Sequence, residues 1–107
     1  MAWVLLIFAI GAEVFGTLSL KASDGFSRLW PSLGVIVGYG VAFTLLAFVL
    51  KSMGVGPAYA TWAALGTAGA AVGGWLIFGE RLTWITITGI VVVVVGVVII
   101  TLGETRA

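Results

Sequence analysis

The chain has no cysteine and no histidine among its 107 residues. That excludes thiol nucleophiles, disulfides, the common zinc sites and imidazole bases. Charge is scarce as well. Five Lys and Arg and four Asp and Glu make up 8% of the residues, where a soluble domain carries about a quarter. The formal net charge is +1, and the basic residues are scattered, so there is no patch for nucleic acid to hold. With 62% hydrophobic residues and a mean hydropathy of +1.27, the natural solvent of this chain is a membrane. No soluble domain fits, because nearly all residues fall in apolar segments or short links between them. No enzyme activity, cofactor or metal site is expected.

Four apolar segments are each long enough to span a bilayer, which takes roughly 20 residues at about 1.5 Å rise each. They run over about 2–20, 31–50, 57–78 and 84–102. Backbone groups in lipid must be satisfied internally, so the segments are expected as helices. A transmembrane barrel would need alternating segments of about 10 residues, and VVVVVGVVII (91–100) does not alternate. The expected fold is an all-α membrane protein, one domain of four transmembrane helices over 1–107. The short links force neighbouring helices to run antiparallel. A cleavable signal peptide fits the first segment poorly, since no Lys or Arg precedes the apolar run and an acid interrupts it.

That acid is Glu13, the one charge between Ala2 and Leu20. An ionised carboxylate at mid-membrane depth costs at least about 2 kcal/mol and is usually kept because it binds or carries something. At 3.6 residues per turn, Leu6, Ala9, Ile10, Gly16 and Thr17 share its face, and small residues beside the acid leave room there. On the third segment Tyr59, Trp62 and Gly66 line up at spacings of three and four, as Tyr39 and Phe43 do on the second. Each aromatic alone reads equally well as packing. Together with Glu13 they suit an organic cation, with its charge on the carboxylate and its apolar body against the rings. Trp3, Trp30, Trp75 and Trp84 lie near span ends, where anchorage at the interface explains them.

Gly69 and Gly73 form a GxxxG pair, and Gly89 and Gly96 lie one heptad apart; both patterns allow close helix approach. Gly54, Gly56 and Pro57 make the second link bendable. On the N-terminal side of the membrane the links hold Lys51 and Arg106, and on the other side Lys21, Arg28 and Arg81. Two against three hardly fixes orientation. A small count, insertion both ways up with pairing of the two forms, or a partner of opposite bias would each explain it. Pairing two chains would bring two Glu13 carboxylates to one cavity, where protons and a cation compete for the same groups.

The stretches AEVFGTLSLKASDGFSRLWPS (12–32), GPAYATWAALG (56–66) and FGERLT (78–83), with the Gly89/Gly96 pair, resemble the small multidrug resistance family. The likeness covers essentially the whole chain. It implies a four-helix protomer, an antiparallel dimer and proton-coupled export of organic cations from the bacterial inner membrane. It places the family's essential glutamate on Glu13 and its site aromatics on Tyr59 and Trp62, with Tyr39 and Phe43 in support. Trp3 falls where a further site aromatic is often found, and Gly89 and Gly96 match the dimer contact. Guanidinium exporters of the family carry Trp three residues after the glutamate and a serine on the second helix. Gly16 and Ala42 stand there instead, so the chain looks like the multidrug subtype, which accepts quaternary ammonium cations. Ala64-Leu65-Gly66 departs from the Gly-Val-Gly of that subtype. The rival readings are a guanidinium exporter, one half of a pair with a paralogous subunit, a proton leak, and a non-transporting membrane subunit.

Overall fold

The apolar segments form four α-helices, α1 (Ala2–Ala22), α2 (Leu29–Val49), α3 (Val55–Phe78) and α4 (Trp84–Arg106), in a computed structural model that describes residues 2–106 and the side chains of 2–103. Each helix is long and apolar enough to cross a membrane, and the chain is a multi-pass membrane protein. α2 and α3 each begin two residues before their proline, earlier than the sequence suggested. Pro31 and Pro57 sit in the first turn, where the N–H groups have no intrahelical acceptor and a missing one costs nothing. The bendable link is correspondingly shorter than expected, because Gly56 and Pro57 belong to α3.

The links are tight and internally bonded. After α1, the buried Ser23 takes the Ser27 and Arg28 N–H groups on its carbonyl at 2.9 and 3.1 Å. Its hydroxyl donates to the Leu20 carbonyl at 2.7 Å and accepts the Phe26 N–H at 3.1 Å. These bonds hold Asp24, Gly25 and Phe26 at positive φ, which costs something at the two residues other than glycine. α3 ends at Gly79, whose φ of 69° lets the Glu80 N–H reach back to the Gly74 carbonyl at 3.2 Å. The Glu80 carboxylate then pairs with Lys21 at the end of α1.

The helices lie side by side rather than as a bundle. α1 packs between α2 and α3, and α4 packs on α3. The result is a slab of 47 × 34 × 18 Å. A slab encloses little. Its main core is Leu6, Ile10, Val49 and Ala58, flanked by Leu46, Met53 and Trp62. None of the described residues of α4 is buried.

The seams between helices are cut by glycine. A Cβ on Gly38 of α2 would sit 2.9 Å from the Ala12 carbonyl oxygen and from Gly16 N and Cα, so the α1 and α2 backbones touch there. On α3, Gly69 receives Val14 and Gly73 receives Leu18, which is the close approach that their spacing suggested. Gly89 and Gly96 differ, for nothing lies within 4 Å of where their side chains would be.

Candidate functional site

Glu13 sits on α1 between the two helices that flank it. Its Oε1 accepts a hydrogen bond from the Thr17 hydroxyl, one turn on, at 2.9 Å. The Thr17 oxygen lies 2.8 Å from the Tyr39 hydroxyl of α2. Thr17 has one proton, and it goes to Glu13, so Tyr39 must donate to Thr17. The polar chain therefore runs from Tyr39 through Thr17 to Glu13, each bond polarising the next.

Gly16 seats this chain. A Cβ on it would lie 3.1 Å from the Tyr39 ring. The room that small residues were expected to leave beside Glu13 is, at Gly16, occupied by Tyr39. Gly16 shapes the site through that ring and not by offering open space.

From Tyr39 the aromatics continue as an arc across the face of α1. Tyr39 and Phe43 are 6.3 Å apart at 45°, and Phe43 stacks on Trp62 of α3 at 6.1 Å and 17°. Beyond Trp62 a groove of about 240 Å³ opens, lined by Glu13, Trp62, Ala63, Gly66, Thr67 and Ala70. A Cβ on Gly66 would be 3.4 Å from Glu13 Oε2. Unlike Oε1, Oε2 takes no hydrogen bond from the described residues. The arrangement is thus a carboxylate with one oxygen anchored and one presented to an open groove, with an indole on its wall. In a membrane such an arrangement has the chemistry to serve as counter-charge for a cation with an apolar body.

The structure brings together Glu13, Gly16, Thr17, Tyr39, Phe43 and Trp62. It does not bring every expected residue to the groove. Leu6, Ala9 and Ile10 share the Glu13 face but are buried, Leu6 and Ile10 in the core against Val49 and Ala58. Tyr59 is 71% exposed and Trp3 49% exposed, and neither lines the groove within one chain. Ala63, Thr67 and Ala70 do line it, although the sequence reading passed over them. Their only signal is spacing: with Gly66 they fall at i, i+3, i+4 and i+7, a pattern that packing produces equally well.

A larger hollow of about 500 Å³ lies at the α3–α4 link between Trp75 and Trp84. It is at the helix ends, and its carboxylate, Glu80, is already paired with Lys21. The Glu13 carboxylate, by contrast, has no cationic partner among the described residues.

Residues 1–93 match the model of a family described as Small Multidrug Resistance protein. The chain is 45% identical over 102 residues to multidrug resistance protein EbrB of Bacillus subtilis, covering 95% of this chain and 87% of that protein. It is 45% identical over 100 residues to quaternary ammonium compound-resistance protein QacE of Escherichia coli, covering 94% and 91%. Multidrug resistance protein mmr of Mycobacterium bovis is 43% identical over 104 residues, with 96% and 97% covered.

Proposed function

The chain belongs to the small multidrug resistance family, and on that footing we propose that it is a proton-coupled exporter of hydrophobic and quaternary ammonium cations in the bacterial inner membrane, working as an antiparallel pair of copies. The observation that carries this reading is Glu13 Oε2, held at mid-span without a donor among the described residues and facing a groove walled by Trp62. The relatives' names, multidrug and quaternary ammonium compound resistance, support the substrate class.

The proposed cycle uses one carboxylate for two ligands. Deprotonated Glu13 takes the cation from the cytoplasm, with its apolar body against Trp62. The pair then exchanges which side is open. Protons from outside displace the cation, and the protonated form returns. Two copies of opposite orientation make the two end states near equivalents, so little energy opposes the exchange.

Proton–cation competition is checked by binding tetraphenylphosphonium to the purified protein from acid to alkaline pH. Affinity should rise with pH as protons leave Glu13. Affinity that is flat across the range would remove competition from the mechanism.

Pairing is supported by the slab itself. The groove is open on one side, and a second copy would close it. α4 offers Gly89 and Gly96, where an added Cβ would meet no neighbouring described group within 4 Å, and small residues at such positions let helices meet closely. Gly96→Leu should leave the helical content and thermal unfolding of the protomer unchanged while shifting the protein to monomer in crosslinking or sedimentation. A variant that stays paired would move the contact off α4.

A further inference from the structure

The described threonine hydroxyls of this chain fall into three groups. Thr44, Thr88 and Thr101 bond back to the carbonyls of Gly40, Trp84 and Val97, four residues earlier, at 2.7 to 2.9 Å. Thr17, Thr83 and Thr86 have side-chain partners. This is the usual solution for a hydroxyl in a membrane helix, where an unsatisfied polar group faces hydrocarbon. Two described threonines depart from it, both on α3. Thr61 is buried without a partner and does not line the Glu13 groove. Thr67 is exposed, its hydroxyl has no partner among the described residues, and it lines the groove together with Glu13.

The rest of the groove is Trp62, Ala63, Gly66 and Ala70, none of which has a side-chain acceptor. Thr67 Oγ1 is therefore the one side-chain acceptor in the lining besides the Glu13 carboxylate. A fully alkylated ammonium has no N–H and gains nothing from it. A primary or secondary ammonium has at least two N–H donors, and the second one loses water on entry unless an acceptor replaces it. We infer that Thr67 is a specificity-determining residue of the groove, accepting the second N–H of primary and secondary ammonium cations and so widening the cations taken beyond quaternary ones. Glu13 Oε2 receives one N–H of such a ligand and Thr67 Oγ1 another, while the apolar body lies on Trp62. This inference rests on the reading of the groove as a cation site.

A matched pair of ligands separates the two claims. Benzylammonium carries three N–H donors, and benzyltrimethylammonium carries none. Their affinities are measured by displacement of tetraphenylphosphonium from the purified protein, at one alkaline pH, in wild type, Thr67→Val and Thr67→Ser. Valine keeps the shape and removes the acceptor; serine keeps the acceptor. Thr67→Val should weaken benzylammonium about tenfold, the size of a hydrogen bond to a charged group, and leave benzyltrimethylammonium within about twofold. Thr67→Ser should bind both as wild type does. Equal changes for the two ligands, or none for either, would overturn the role of Thr67. If the wild type binds none of the three cations, the groove is not a cation site. That result overturns the proposed function and this inference together, and it differs from the first because tetraphenylphosphonium is itself not bound.

Discussion

Glu13→Gln is expected to abolish cation binding while leaving the protein folded. Glutamine keeps a carbonyl oxygen for the Thr17 hydroxyl, so the chain from Tyr39 through Thr17 survives. What goes is the charge. Two unit charges about 4 Å apart at an effective dielectric near 20 attract by about 4 kcal/mol, or about a thousandfold in affinity. The groove has no second acid to take over, for its other lining residues are Trp62, Ala63, Gly66, Thr67 and Ala70. The pH dependence of tetraphenylphosphonium binding should vanish with the binding, since proton and cation share one group. Calorimetry on wild type and variant, with circular dichroism to confirm helical content, decides it. Retained binding at the wild-type level would place the counter-charge elsewhere and dismantle the mechanism.

The largest expected loss of stability comes from a single methyl group at Gly38. Its Cβ would lie 2.9 Å from three backbone atoms of α1: the Ala12 carbonyl oxygen, Gly16 N and Gly16 Cα. Backbone cannot rotate aside, so α1 and α2 must part. Overpacking of this kind costs about 1–3 kcal/mol, and here it also lifts Tyr39 from Gly16 and strains the bond to Thr17. Gly73→Ala is the control. Its Cβ would meet only the end of the Leu18 side chain, which has rotamers to spare. Thermal unfolding in one detergent should rank Gly38→Ala well below wild type and Gly73→Ala close to it. Equal losses would mean that the α1–α2 seam yields more easily than its contacts imply. Weakened tetraphenylphosphonium binding in Gly38→Ala, measured below its unfolding temperature, would tie the seam to the site.

How much of this was legible in the sequence depends on the kind of signal. The spans were, because a run such as VVVVVGVVII has no other home, and Glu13 was, because a lone acid contrasts with its surroundings. The aromatic arc was partly legible. Tyr39, Phe43 and Trp62 fall at helical spacings, and the fold joins them. Tyr59 also stands at a helical spacing from Trp62 yet faces outward, because a single helix period cannot tell which side of α3 its neighbours will cover. Leu6 and Ile10 illustrate the same limit. They share a stripe with Glu13, but Val49 and Ala58 close over that end of it. The small residues of the groove left little trace, since alanine is as much at home in packing as in a binding wall. Gly16 was read as space, and only the placement of α2 shows the Tyr39 ring filling it.

The bond from Thr17 to Glu13 bears on how such a chain is made. α1 precedes α2 in the chain and carries an acid whose transfer into hydrocarbon costs at least about 2 kcal/mol if ionised. Its first donor is on the same helix, four residues along, and travels with it. Tyr39 joins only when the next segment arrives. Biogenesis therefore does not have to wait for tertiary structure to shelter the acid. The residue that anchors Glu13 in the finished protein is thus within its reach in α1 alone, and Tyr39 of α2 extends the same chain of bonds.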